Sequence, residues 1–352
     1  MTSIAVTGAS GAVGRRLVQL LLADASIERV VAIDRRLPSS VRPVDGTDEG
    51  PSLVPLRLDI TIDDPAPALD GVDSVVHLIE ARDSRADPRL AGERLDRVLG
   101  AATSSGCGHA VILSSALVYG ARPDNPVPIT EAHPVAPNPG LAYAVVKAEL
   151  EQRARAWAAE TGSGLAVLRP AATLSEGDSS WIGSALRAAT TVRAERVDPP
   201  FQFLHHDDLA GAVALATTST LDGAFNVAPD GWIGSDEFRA LRGEASLRIH
   251  PRLSQWRLRA AKAVADRRLL DGLEPYVTCP WVVANDRLRA AGWEPSLSNQ
   301  EAWVAGTPPP MLGLVNGQRR QEIALGVVSS VGAAAVGGTL WALRGSTNRL
   351  RR

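Results

Sequence analysis

From Ile4 onward the apolar positions fall in short β-branched runs, separated by Ala-, Leu- and Arg-rich stretches whose apolar residues recur three and four apart. Short apolar runs bounded by turn residues predict strands buried on both faces, and the 3.6-residue spacing predicts helices laid across them. Strands are expected at 4–7, 29–33, 54–57, 74–77, 110–113 and 165–168, and helices at 12–23, 89–104 and 141–161, the last ended by Gly162 and Gly164. This alternation predicts an α/β fold with a doubly wound, Rossmann-type parallel sheet over residues 1–170, with 201–230 returning to it.

Beyond Pro170 the alternation loosens and Trp, Pro and Arg become denser, so 171–310 is read mainly as a smaller C-terminal substrate-binding lobe. The basic stretch 248–268 is read as an amphipathic helix, because Trp256, Leu258, Ala261, Ala265 and Leu269 space as one face. After Pro308-Pro309-Pro310 the composition changes, and 311–352 is read as an apolar tail. Within it, 323–343 carries no charge and would span about 30 Å as a helix, with Gly326, Ser330, Ala334 and Gly338 forming a small-residue stripe. Its Gly, Ser and Thr content and the arginines from Arg344 onward oppose insertion, so a membrane anchor stands beside an apolar tail docked on a partner subunit.

A formal charge of −2 creates no general attraction for nucleic acid, and none is expected as a partner. Cys107 and Cys279 are too few for a disulfide framework or a metal cluster. With no charged leader before the first strand, a reduced cytoplasmic location is expected, with the tail as a candidate attachment to the cytoplasmic membrane. Lys147 and Lys262 are the only lysines among 37 basic residues, so a position that keeps Lys against that bias marks a need for an amine.

Thr-Gly-Ala-Ser-Gly-Ala-Val-Gly at 7–14 follows the first strand and opens a helix. Gly8 permits the turn, Gly11 removes the Cβ that would keep a pyrophosphate from the helix N-terminus, and Gly14 lets helix and strand approach; Ser10, Ala12 and Val13 complete the dinucleotide cradle. Asp34 ends the second strand about twenty residues past the glycines, where a carboxylate accepts the ribose hydroxyls and repels a 2′-phosphate, which favours NAD. Arg35 and Arg36 follow at once and keep NADP open. Asp59, with Ile60 beside it, is placed at the adenine edge, and Leu78, Ser114 and Pro170, at or just past strand ends, complete the expected cofactor contacts.

Tyr143 and Lys147 are four residues apart, one helical turn on one face. An ammonium beside a phenol lowers its pKa from about 10 and makes it a usable general acid/base. Lys147 can also bond the nicotinamide ribose. Ser115, after the fifth strand, is placed to hold the reacting oxygen for Tyr143, with Ser114 in support, whereas Tyr119 reads as structural.

Together these residues resemble the extended short-chain dehydrogenases/reductases, the NAD-dependent epimerase/dehydratase family, over about residues 4–295. The match comprises Thr-Gly-x-x-Gly-x-x-Gly at 7–14, Ser-Ser-x-x-Val-Tyr-Gly at 114–120 and Tyr-x-x-x-Lys at 143–147. Leu168-Arg169-Pro170, the run 203–210, Phe225-Asn226-Val227 and the run 288–293 resemble its later landmarks. The resemblance implies hydride transfer between NAD and a secondary alcohol or ketone, relayed by Ser115, Tyr143 and Lys147, with epimerisation if the hydride returns to the other face. It also implies a homodimer paired through the helix that bears Tyr143. Ala171-Ala172-Thr173 stands where the nucleotide-sugar members usually carry an Asn, and Ala116-Leu117 where the 4,6-dehydratases carry Asp-Glu. These departures disfavour dehydration and weaken a sugar-nucleotide substrate, while the candidate membrane tail and the apolar, Trp-rich stretches of the substrate lobe point to a hydrophobic or lipid-linked small molecule. A nucleotide-sugar epimerase and a non-catalytic NAD(P)-binding redox sensor or scaffold are the competing readings.

Overall fold

Successive residues of each central strand bury themselves on opposite faces of one sheet. Ile4 and Val6, Val30 and Ala32, Val111 and Leu113 enter one core, while Ala5, Val31 and Ile33, Ala110 and Ile112 enter the other. A period of two with both faces apolar is what a parallel sheet between two helical layers requires. At about 1.5–3 kcal/mol for each fully buried Val, Leu or Ile, these strands supply much of the drive to fold.

The computed structural model describes residues 2–36, 50–79, 88–176, 181–190, 199–241 and 267–306. Strands β1 (Thr2–Thr7), β2 (Ile27–Asp34), β3 (Ser52–Arg57), β4 (Ser74–His77), β5 (His109–Leu113) and β6 (Gly164–Pro170) contain the six expected from the sequence. A short pair, β7 (Ala172–Leu174) and β8 (Phe203–His205), stands apart, and β9 (Gly223–Val227) joins the main sheet. The seven-stranded sheet has the order β3-β2-β1-β4-β5-β6-β9, with every pairing parallel. Chain direction across the sheet reverses between β1 and β4, so the crevice outside their carboxyl ends is the place where such a sheet binds ligands.

Helices α1 (Ala12–Leu22) and α5 (His206–Thr218) cover one face; α2 (Pro88–Ser104) and α3 (Ala142–Thr161) cover the other. Gly162 ends α3 in the left-handed region at φ 72° and returns its N–H to Ala158, which no β-carbon-bearing residue does as cheaply. Helices α4 (Trp181–Thr190), α6 (Ser235–Leu241), α7 (Arg267–Thr278), α8 (Asp286–Ala290) and α9 (Asn299–Ala305) complete the described α-helices.

The described residues belong to one compact unit that ends at Gly306, and Thr307–Arg352 lies outside them. Among the described residues no helix is long and apolar enough to cross a membrane. The candidate anchor at 323–343 lies outside them, as does the basic stretch before Arg267.

Candidate active site

The tight turn at 8–11 carries β1 into α1. Gly8 has φ 82°, and a Cβ there would stand 3.0 Å from the Leu78 carbonyl carbon; a Cβ on Gly14 would stand 2.3 Å from the Gly8 oxygen. Gly11 is the N-cap of α1, with no side-chain cap, so the first-turn N–H groups are left to a ligand or to solvent. The Asp34 carboxylate accepts from the Ser10 N–H at 3.1 Å and the Arg36 N–H at 3.4 Å, which holds the end of β2 against this turn. The Ser10 hydroxyl donates to the Arg36 carbonyl.

A cavity of about 530 Å³ opens at the carboxyl ends of the strands, beside the crossover. Gly8, Ser10, Gly11, Ala12, Val13, Gly14, Asp34, Arg35, Asp59, Ile60, Leu78 and Pro170 all line it, and so do Ser115 and Tyr143. Two expected residues lie behind its wall. Lys147, 5% exposed, donates from Nζ to the Leu113 carbonyl at 2.7 Å and lies 5.6 Å from the centroid of the Tyr143 ring. The Ser114 hydroxyl donates away from the cavity, to Glu151 at 2.5 Å, and its N–H closes the sheet on Leu168. Adjacent positions at a strand end face opposite ways, which is why Ser115 reaches the cavity and Ser114 does not.

Ser115 is extended (φ −159°, ψ 146°) and caps the 3-10 turn Ala116–Tyr119, its Oγ accepting from the Leu117 N–H at 3.3 Å. That contact occupies an oxygen lone pair and leaves the hydroxyl hydrogen for another acceptor. Arg35 pairs with Asp59 at 3.7 Å. The backbone N–H of Thr61 holds the Asp59 carboxyl below its ordinary range, with Arg35 and Arg94 adding to it. His77, buried at the end of β4 and 2.9 Å from the Thr7 hydroxyl, is pushed down to about 3 by burial, with the charges of Lys147 and Arg94 acting in the same direction. It is therefore neutral across the physiological range.

The sequence reading missed part of the lining. Arg15, Arg94, Thr173, Ile182, Leu186, His206 and Leu209 also face the cavity. Arg15 could have been suspected from its place directly after the third glycine, and its guanidinium donates to the Ser10 carbonyl at 2.7 Å. His206, held by Ser175 at 3.0 Å, lies in a run singled out only as a landmark. Ile182 and Leu186 carry no local signal, since α4 reaches the cavity through the chain's path alone.

This fold, with a glycine turn, an acidic strand end and a Tyr–Lys helix at one sheet edge, defines a nucleotide-binding α/β enzyme class. Residues 4–228 match the model of the NAD-dependent epimerase/dehydratase family, and the chain belongs to that family of enzymes. No curated protein sequence matches it. Among solved structures it is similar to a double mutant of DesIV, a dTDP-glucose 4,6-dehydratase from Streptomyces venezuelae, at 20% identity and TM-score 0.62, over 87% of this chain and 95% of that one. It is also similar to the UDP-glucose 4-epimerase of Thermus thermophilus, at 19% identity and TM-score 0.59, over 87% and 97% of the two chains. The UDP-N-acetylglucosamine 4-epimerase of Bacillus cereus matches at 16% identity and TM-score 0.55, over 86% and 96%.

Proposed function

We propose that this chain is an NAD-dependent oxidoreductase or epimerase acting on a secondary alcohol or ketone through Ser115, Tyr143 and Lys147. The observation that carries the reading is spatial: Ser115 and Tyr143 open into the same cavity as the glycine turn and Asp34, with Lys147 buried behind Tyr143. The cradle fits a dinucleotide, because Cβ atoms at Gly8 and Gly14 would collide with backbone and the α1 N-terminus carries no side-chain cap. NAD supplies the hydride acceptor when bound. The solved epimerase from Thermus thermophilus and the DesIV dehydratase are themselves NAD complexes.

In this reading Asp34 receives the adenosine ribose, and Arg35, engaged with Asp59, is drawn away from a 2′-phosphate. Tyr143 takes or gives the proton of the substrate hydroxyl, Ser115 donates to the same oxygen, and Lys147, behind Tyr143, favours the tyrosinate. Beyond the relay Leu117, Ala171, Ala172, Ile182 and Leu186 give the lining an apolar side, with Thr173 and His206 as polar points on it, which supports an alcohol on a largely apolar body. The shared fold with nucleotide-sugar epimerases supports epimerisation of a nucleotide sugar as the second reading.

The test is titration of NAD, NADH, NADP and NADPH into the wild type and Tyr143→Phe, followed by turnover on nucleotide sugars and hydroxysteroids. Both proteins should bind NADH alike while Tyr143→Phe loses about 10²–10⁴-fold in turnover. Undiminished turnover in Tyr143→Phe would remove the relay, and absence of nucleotide binding would remove the whole reading.

A further inference from the structure

Three residues one turn apart share a face of α3: Tyr143, Lys147 and Glu151. The first opens into the cavity, the second is bonded to the Leu113 carbonyl, and the third is fully buried with 0% exposure. A lone carboxylate so deep in a protein is costly, and here it is surrounded by donors. Arg169, at the end of β6, meets it in a two-pronged pair, Nε to Oε1 at 2.9 Å and Nη2 to Oε2 at 2.7 Å. Arg155 reaches Oε2 at 2.5 Å from the next turn of α3, and Ser114 donates to Oε1 at 2.5 Å. The remaining Arg169 nitrogen donates to the Tyr119 hydroxyl at 2.7 Å, which in turn donates to the Asn226 side chain on β9 at 2.8 Å.

We infer that Glu151 is a positioning residue for the relay, a buried carboxylate that locks α3 to the ends of β5, β6 and β9 and so fixes Lys147 and Ser115 relative to Tyr143. Lys147 and Glu151, on successive turns, grip Leu113 and Ser114, successive residues of the strand end that leads into Ser115. Arg169, paired with the same carboxylate, directly precedes Pro170, which lines the cavity. Burial pushes the Glu151 carboxyl up, but Arg169, Ser114 and Arg155 outweigh it and hold it below its ordinary range, so the clamp stays ionised while the enzyme works. Glu151 is bonded to Ser114, Arg155 and Arg169, and its action runs through Ser114 and the strand end. The inference rests on the relay reading above, but its test needs no substrate.

The chain has three tyrosines, and burial raises the phenols of Tyr119 and Tyr276, so Tyr143 should be the first to ionise on raising pH. Its midpoint can be followed by tyrosinate absorbance in the full chain with NAD bound, and the step must vanish in Tyr143→Phe. In Glu151→Gln the midpoint should rise by about half a pH unit or more, because Lys147 loses its alignment with the phenol. The sign discriminates between causes. Deleting a negative charge while the geometry holds would lower the midpoint, leaving Arg169 and Arg155 less compensated.

An unchanged or lowered midpoint in a folded Glu151→Gln protein overturns the proposal. If Glu151→Gln does not fold, Ser114→Ala removes the hydroxyl and leaves the Glu151–Arg169 pair; it should raise the midpoint by a smaller amount, and an unmoved midpoint there overturns it. Retained turnover in Tyr143→Phe would count against the relay alone, and leaves the Tyr143 titration readable.

Discussion

Asp34 shows how much one side chain decides. Its carboxylate is bonded to the glycine turn through Ser10 and stands on the cavity wall, with Arg35 drawn toward Asp59. Hydrogen bonds to a charged acceptor contribute about 1.5–3 kcal/mol, so Asp34→Ala should weaken NADH binding roughly 10- to 100-fold. Loss of the repelling charge should at the same time strengthen NADPH relative to NADH. A fluorescence titration of both cofactors measures this, and a wild type that already prefers NADPH would reverse the assignment. Gly8, Gly14, Asp34 and Tyr143 could be singled out from type and spacing alone, and all four line the cavity. Ser114 does not: its type fits a cofactor contact, but its strand-end orientation sends it to Glu151.

Helix α7 links remote chain to the turn after Ser115 and to the segment that enters α3. Gly272 packs so closely on the segment before Tyr143 that a Cβ would stand 2.3 Å from the Gly140 oxygen. Tyr276, one turn on, donates to the Leu117 carbonyl at 2.8 Å and accepts from the Asn138 N–H at 3.4 Å. The helix thus braces both the turn after Ser115 and the entry to α3. Gly272→Ala must displace backbone, and overpacking of this kind costs about 1–3 kcal/mol. A melting temperature lowered by several degrees is expected, with turnover reduced more than NADH affinity; equal stability of mutant and wild type would show that the contact relaxes freely. No local pattern announces this contact, since a glycine inside a helix reads from sequence only as a weak point.

Across the whole molecule, stability should depend on pH through its buried histidines. His77 falls to about 3 through burial, and His109, bonded to Ser74 and to the Leu221 carbonyl, is likewise lowered, chiefly by burial. Below the ordinary histidine value of about 6.5 the unfolded chain takes up protons that the folded one refuses, so stability rises with pH in that window and is lost as pH falls. Each such histidine contributes a slope of up to roughly 1.4 kcal/mol per pH unit, before carboxylates begin to titrate near 4.5. Denaturant unfolding between pH 7 and 5 should show this loss, and His77→Gln should flatten it. An equal slope in His77→Gln would place the acid sensitivity elsewhere.

The sequence by itself determined the βαβ alternation, six of the strands, the helices α1, α2 and α3, the glycine turn that opens α1 and the one-turn spacing of Tyr143 and Lys147. Those features depend on interactions within about twenty residues, where periodicity, glycine placement and one-turn spacing act directly. Only the tertiary structure decided that β9 closes the sheet beside β6, that Ile182, Leu186 and His206 reach the cavity, and that Glu151 is neutralised by Arg169 beneath Lys147. Each of these brings together residues distant in sequence or on separate elements, and the free energy that selects them comes from burial and from pairing of charge in a dry interior. Neither quantity exists until the chain has folded, so neither leaves a local mark to read.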